Sequence, residues 1–230
     1  MDIRQLIREM SVANPLWEAP RIHGELLKLA STSARRPSKI HSKEKSGHRR
    51  KAGRPSFNAI ASIDLFVVPT ISFRLLYGFL VLRHSRREIL WLGVTAHPSA
   101  EWIARQLTEA FGWSEPAQYI IRDRDRAYGS SAVLEPWAYG IGRFRPGRPG
   151  KMDAPKRLIG SIRRDCLDHV VVFGEQHFRH LFSCYQRYYI EVRPHLALNK
   201  DAPIPRDIQR EGRVLSFPIL GGLHHRYVRV

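Results

Sequence analysis

The segment Ile60–Thr70 reads IASIDLFVVPT. Its apolar, mainly β-branched run predicts a buried central strand that ends at Pro69 and Thr70. Asp64 lies in the middle of this strand, where an ionised carboxylate is costly unless it is paired or binds a metal ion. The strand therefore bears on function as well as on fold.

A second carboxylate ends another apolar run. The stretch YIIRDRDRAYG, residues 119–129, begins as a strand and reaches Asp123 at its end. If the two strands are neighbours, Asp64 and Asp123 converge, and two close negative charges favour a shared proton or a divalent cation between them. Mg²⁺ or Mn²⁺ prefers such oxygen ligands. Structural roles stay open: Asp64 could bond a backbone group at a bulge, and Asp123 could cap a turn or pair with Arg122 or Arg124.

The composition favours a polyanionic partner. The 230 residues include 38 Lys and Arg against 21 Asp and Glu, which gives a formal net charge of +17. Such a surplus is typical of nucleic-acid binding, although a basic, merely solvated surface is the alternative. Cys166 and Cys184 form no metal-binding or disulfide motif, and no run is long and apolar enough to span a membrane. We expect a soluble cytoplasmic protein, associated with the nucleoid.

The spacing of apolar residues predicts an α/β fold. Three strands, a helix and a fourth strand follow one another, which implies a mixed sheet with helices on its faces. The predicted helices span residues 2–12, 22–29, 98–113, 155–173 and 174–192, with a further short helix at 131–139; the predicted strands span 59–70, two arms around the turn HSRR at 84–87, and 117–123.

Two segments lack these patterns. Residues 31–57 predict a disordered basic linker, because nine Lys or Arg lie between Arg35 and Arg54 with one acid and one large aliphatic side chain. It could follow a phosphate backbone by charge, or it could be a tether without a partner. The tail after residue 192 is interrupted by Pro and Gly, and we expect it to wrap the domain without regular structure.

Several segments together resemble the integrase core of bacterial insertion-sequence transposases and retroviral integrases, the DDE superfamily with a ribonuclease H-like fold. The resemblance covers most of 58–128 and 157–230. Its motifs are IASIDLFVVPT, HPSAEWIARQLTEAF, IIRDRDRAYG, RLIGSIRRDCLDHV, RPHLAL and KDAP, and NPLWEAPRIHGELLKL resembles the end of the helix-turn-helix region that precedes such cores.

The resemblance implies a five-stranded mixed sheet, a metal site for Mg²⁺ or Mn²⁺ and a DNA transposase or integrase activity. It makes Asp64 the first metal ligand and Asp123 the second, with Asp125 as the alternative. It also implies DNA partners, namely mobile-element ends and target, and a homo-oligomer. The cations that we expect to contact DNA are Arg49, Arg50, Lys51, Arg157, Arg163 and Arg164.

The same reasoning divides the chain into four parts. Residues 1–30 are a truncated helix-turn-helix-like segment and residues 31–57 are the basic linker. Residues 58–195 are the integrase catalytic core, and residues 196–230 are a C-terminal extension.

The third carboxylate of the family is missing. The family has a segment like S-P-W-Q-N-G-x-A-E before R-L-I-G, and its Glu completes the metal site, whereas Lys156 occupies that position here. A cation there repels Mg²⁺, so the sequence predicts an impaired or inactive enzyme. Asp165, Asp153 and Glu135 are unconvincing substitutes. The alternatives are a non-catalytic DNA-binding remnant or regulator, and a gene product without a retained role.

A shifted reading frame could explain the substitution. Permissible codons for Gly147–Lys156 are GGT CGC CCT GGC AAA ATG GAT GCG CCG AAA. When the first two bases are skipped, they translate to S-P-W-Q-N-G-C-A-E, which matches the family segment. We hypothesise that compensating frameshifts flank this segment, and the linker at 31–55 could be another such patch. Gene codons that cannot spell the family segment in the alternative frame would end the hypothesis.

Overall fold

The structure, a computed structural model, describes residues 2–30, 60–112, 117–122, 143–146 and 153–230. By its contacts the chain divides into two compact units: Pro55–Glu191 forms one, and Met1–Arg54 together with Val192–Val230 forms the other. The predicted linker and the predicted helix at 131–139 lie outside the described residues.

The larger unit is built on a mixed sheet. Its strands are β1 (Ile60–Pro69), β2 (Leu75–Arg83), β3 (Glu88–Thr95), β4 (Tyr119–Arg122) and β5 (Arg143–Pro146), in the spatial order β3-β2-β1-β4-β5. The first three strands form an antiparallel meander, while β4 is parallel to β1 and β5 is parallel to β4. Because β1 is paired on both sides, its apolar run is central to the unit.

Helix α3 (Ala100–Phe111) covers one face of this sheet. Ser99 caps the helix: its Oγ accepts a hydrogen bond from Trp102 N–H at 3.2 Å. Ile103 and Leu107 pack against one alternate set of strand residues, which comprises Ala61, Ile63, Phe79 and Val81.

Helices α4 (Asp153–Asp165) and α5 (Glu175–Glu191) cover the opposite face. Phe66, from the other alternate set of β1, lies 5.6 Å from Phe182 of α5 between ring centroids. Gly78 of β2 makes room for this pair, because a Cβ there would come within 2.8 Å of both rings. The sheet is therefore enclosed between helices, as expected for an α/β unit.

The smaller unit combines both ends of the chain. Its elements are α1 (Ile3–Ala13), α2 (Ala19–Lys28) and the strands β6 (Val214–Ile219) and β7 (His224–Arg229), which pair antiparallel. Tyr227 packs in one apolar cluster with side chains of the two helices and their connection, namely Leu6, Met10, Trp17, Ile22, Leu26 and Leu29.

The tail corrects one expectation. We expected residues after 192 to lack regular structure, yet they form the β6–β7 hairpin. The reason lies in partners from the other end of the chain: Trp17 Nε1 donates to His224 Nδ1 at 2.9 Å, and Asn14 Oδ1 accepts from His225 N–H at 2.8 Å. These partners satisfy polar groups that the tail sequence alone leaves unassigned.

The remaining predicted elements in the described residues are confirmed. The two N-terminal helices, the strands flanking the HSRR turn, the helix predicted at 98–113 and the last two helices all form. The helix predicted at 155–173 is shorter than expected, because it ends at Asp165 and a 3-10 turn follows at Leu167–His169. None of the described helices combines the length and the apolar character needed to cross a membrane.

Candidate metal and nucleic-acid site

Asp64 is buried in the centre of the sheet. Only 8% of the residue is exposed, and its Oδ1 accepts a hydrogen bond from Leu65 N–H at 2.9 Å. The pairing of β1 with β2 runs without interruption from Ala61 to Pro69, so Asp64 does not lie at a bulge. The backbone group that binds Asp64 is thus the N–H of the following residue, Leu65, and it lies in a regular strand.

The strand that leads to Asp123 is the parallel neighbour of β1. Ile60 pairs with Tyr119, Ala61 with Ile120 and Ser62 with Ile121. The sequence left open whether these two strands are neighbours, and the structure pairs β1 with β4. Asp123 itself follows the last residue of β4 and, like Asp125, lies outside the described residues.

Lys156 lies on α4, a helix that contacts the Asp64 side of β1. Arg163 of the same helix lies over the ring of Phe66 at 6.0 Å, and its Nη2 donates to Val67 O at 2.9 Å. Lys156 precedes Arg163 by seven residues, which is about two helical turns, so both side chains project from the same side of α4. Phe66 and Asp64 share one face of β1, because strand side chains alternate.

None of the carboxylates considered as substitutes for the missing third ligand is described at the position of Lys156. Asp165 is the last residue of α4, nine residues after Lys156, and is separated from it by about 13 Å of helix axis. It is buried, and its Oδ2 accepts a 3.4 Å hydrogen bond from Tyr185 Oη. Asp153 is the first residue of α4, whereas Glu135 lies outside the described residues.

The donor set fits a divalent metal ion in part. Asp64 offers hard carboxylate oxygen in an apolar surrounding, which suits Mg²⁺. Within the described ranges, however, no three side chains of His, Cys, Asp or Glu gather to hold a metal ion. A complete site needs at least one ligand from beyond those ranges.

The predicted DNA-contacting cations divide into three groups. Arg157 and Arg164 are exposed on α4, and Arg163, also exposed, is engaged with β1. Arg163 therefore has a packing role that the sequence did not indicate. The linker cations lie outside the described residues: Arg49, Arg50 and Lys51.

Sequence reasoning overlooked Ser62. This residue is fully buried two positions before Asp64, on the same face of β1. Within the part of the chain that the structure describes, its Oγ has no hydrogen-bond partner. The available signal was its place in the alternation of the strand, which points a hydroxyl and a carboxylate to one side.

The comparisons with known proteins address the fold. The chain matches a chain of the simian T-cell lymphotropic virus intasome, solved in complex with PP2A regulatory subunit B56 gamma, with a TM-score of 0.52 and 12% identity over 73% of this chain and 66% of that chain. The two proteins share a fold. This chain thus has an α/β fold similar to that of the intasome chain, built on a mixed sheet with helices.

Two further solved structures are more distant. The catalytic domain of Mos1 mariner transposase has a TM-score of 0.45 and 9% identity over 56% of this chain and 70% of its own. The HTLV-2 integrase catalytic core in complex with magnesium has a TM-score of 0.45 and 8% identity over 65% and 94%. No protein-family model matches the sequence, and no curated protein is significantly similar to it.

The match covers only part of the intasome chain. This chain spans slightly less than two thirds of that chain, namely 66%. Activity, substrates and partners are therefore matters for proposal.

Proposed function

We propose that this chain is a ribonuclease H-like DNA transposase or integrase whose metal site is incomplete, so that strand cleavage and transfer are impaired. Asp64 and Asp123 are the proposed ligands of Mg²⁺ or Mn²⁺. The single observation that carries the proposal is the parallel register of β1 and β4.

The register of β1 and β4 predicts which residue would lie opposite Asp64. Each described pair differs by 59 positions, as in Ser62 opposite Ile121. We propose that this register continues for two more residues, which would set Asp64 opposite Asp123. Directly opposed residues of parallel strands point to the same face and lie about 5 Å apart. That spacing allows two carboxylates to share a divalent cation.

A bound Mg²⁺ ion of this kind activates the attacking oxygen and stabilises the leaving oxygen of a phosphodiester. The chain's own contribution is to hold Asp64 rigidly in a strand that is paired along its length with β2. Burial keeps bulk water away from this carboxylate and strengthens its attraction for a cation.

Lys156 is the proposed cause of impairment. It is exposed on α4, on the side of the helix that also carries Arg163, and it occupies the position where the resemblance requires a Glu. Replacing a carboxylate by an ammonium reverses the charge and removes an oxygen ligand, so the site loses both affinity for the ion and a fixed coordination position.

A charge-restoring variant tests the proposal. We expect Lys156→Glu to raise the midpoint of thermal unfolding in Mg²⁺ and to increase Mg²⁺-dependent nicking of cognate element ends by about 100-fold, since even a residue that only orients a metal ligand is worth on the order of 10–100-fold. Adding Asp64→Asn to Lys156→Glu should remove both effects.

The matched control is Arg157→Glu, which makes the same change of charge at the adjacent exposed residue. Equal responses of the Lys156 and Arg157 variants to Mg²⁺ would show that general charge, and not a ligand position, is responsible. Robust strand transfer by the unaltered chain would refute the impairment.

The net charge of +17 favours a second candidate, a non-catalytic DNA-binding regulator. Phosphate neutralisation makes affinity fall steeply with salt, with a slope of about −0.9 per phosphate on a log–log plot. A regulator should also prefer the terminal sequence of its element over unrelated DNA. Absence of salt-dependent binding would favour a gene product without a retained role.

A further inference from the structure

An exposed apolar patch lies where the β1–β2 turn meets the connection between α4 and α5. It is defined by Ile71, Phe73 and Leu75 of the turn together with Val171 and Phe173 of the connection. Phe73 is 91% exposed, and each of the other four side chains is more than half exposed. Monomeric proteins rarely leave so many large apolar side chains together in water.

The turn that presents Phe73 is rigid. Thr70, which is buried, accepts from Phe73 N–H at 2.9 Å through its carbonyl oxygen and from Arg74 N–H at 3.1 Å through its Oγ1. Thr70 N–H in turn donates to Arg74 O at 2.8 Å. Phe73 holds a φ of +60°, a conformation that is uncommon for a bulky residue and costs about 1–2 kcal/mol. The backbone conformation that places this aromatic ring in solvent therefore lowers the stability of the folded chain.

The second half of the patch is fixed to the first. Ile71 N–H donates to Val172 O at 2.8 Å, and Val172 is buried, so its neighbours Val171 and Phe173 point outward. Phe173 is held by His177: its N–H donates to His177 Nδ1 at 3.2 Å, and the rings stack 5.1 Å apart. The patch is therefore preorganised on both sides.

Charge argues for a protein partner. The turn Pro69–Leu75 carries one charged residue, Arg74, and the connection Val170–Gly174 carries none. Copies of a chain with a net charge of +17 repel one another, and contact at a surface with few cations lowers this repulsion. A nucleic-acid site would instead be lined by several cations.

The area is sufficient for association of two copies. Five large apolar side chains exposed to this extent present on the order of 500 Å². A two-fold interface uses the same patch twice, and the resulting total of about 1,000 Å² reaches the lower limit for a specific interface.

Strand addition at the β3 edge is a competing mode, and side chains of α5 obstruct it. Gln186 Nε2 donates to Ile89 O at 3.1 Å, and Arg179 Nη2 donates to Val94 O. These donors occupy carbonyl groups that an added strand would need.

We propose that the patch of Ile71, Phe73, Leu75, Val171 and Phe173 is the surface through which two copies of this chain associate. Phe73 is its central anchor, because an exposed aromatic side chain has only two rotatable bonds and loses little entropy on docking. The proposal is independent of the metal site, since neither Mg²⁺ nor DNA contributes to the surface.

Sedimentation equilibrium of the full chain, freed of nucleic acid and measured in high salt, tests the proposal. We expect a dimer for the unaltered chain, and a dissociation constant at least about 100-fold weaker for Phe73→Ser, because an anchor is lost from both copies. The matched control is Phe217→Ser: Phe217 is also an exposed aromatic residue, but it lies on β6, outside the patch, and its replacement should leave the dimer unchanged.

Far-ultraviolet circular dichroism and urea unfolding of each variant establish that it is folded. A folded Phe173→Ser variant that also weakens the dimer supports the proposal and covers the case in which Phe73→Ser fails to fold. A monomeric unaltered chain, or equal dimerisation of the Phe73 and Phe217 variants, overturns it. A Phe73→Ser variant that stays dimeric but loses affinity for DNA overturns it in favour of a nucleic-acid contact.

Discussion

At the scale of single residues, burial makes the two cysteines chemically different. Cys166 is 1% exposed, and burial, with further contributions from Asp165 and Cys184, raises its pKa to about 12. Cys184 is only partly buried on α5, with its Sγ 3.6 Å from His180 Nε2. The thiolate is the reactive form. Cys166 is therefore protected from alkylation for two reasons: reagents cannot reach it, and its thiol stays protonated.

We expect iodoacetamide to modify one thiol of the native chain near neutral pH and both thiols in urea. Peptide mass spectrometry should place the native modification at Cys184. The control Cys184→Ser should leave the native chain unmodified. Modification of Cys166 in the folded chain would show that the segment directly after α4 opens to solvent.

Asp64 and Lys156 differ in how much the sequence reveals about them. A carboxylate inside an apolar run has a local cost, so Asp64 is conspicuous without any structure. Lys156 has no such local signature, because a lysine near the start of a helix is ordinary. Its significance came from the family resemblance, and its side of α4 followed only from the contact of Arg163 with Phe66.

At the scale of elements, a buried ion pair joins α2 to the segment before β6. Glu25 is fully buried, and its carboxylate accepts hydrogen bonds of 3.0 and 2.8 Å from the two terminal nitrogens of Arg206. The bidentate geometry gives each carboxylate oxygen of Glu25 a charged donor. Neither residue stood out in the sequence, because an amphipathic helix normally carries a glutamate on its solvated side.

Removing one partner should be costly. We expect Arg206→Met to lower the free energy of unfolding by about 3–5 kcal/mol, since Glu25 then remains buried without its cation. The double variant Glu25→Leu, Arg206→Met should recover most of this loss, because it leaves no unpaired charge. Urea unfolding measures all three proteins, and Arg210→Met, an exposed change in the same segment, is the control. A loss for Arg206→Met no greater than that of the control would mean that the pair contributes nothing.

At the scale of the whole molecule, the stability in acid depends on a carboxylate that links the two chain ends. Burial disfavours the charged form of Asp201, but hydrogen bonds from Lys28 and from the N–H groups of Ala202 and Arg206 outweigh it and lower the pKa of Asp201. The Nζ of Lys28 lies 2.7 Å from Asp201 Oδ2. A lowered folded-state pKa means that the unfolded chain binds the proton more readily, so acid favours unfolding.

The contribution of Asp201 should be complete above about pH 4, the usual range of an aspartate, and should disappear as the pH falls through its lowered folded-state pKa. We therefore expect Asp201→Asn to be less stable than the unaltered chain at neutral pH, with a difference that shrinks in acid. Thermal unfolding between neutral pH and acid measures this, with Asp207→Asn as an exposed control. A difference that stays constant with pH would contradict the assignment.

The sequence by itself determined the first four strands of the larger unit, the helices in the described ranges and the unusual charge inside β1. These features depend on local periodicity, caps and turns, which neighbouring residues specify. Only the tertiary structure decided that the tail forms a hairpin and that it packs with α1 and α2. Those choices rest on pairs such as Trp17 with His224 and Glu25 with Arg206, which are 207 and 181 residues apart. Their free energy appears only once the chain has brought distant segments together, so no local pattern records it.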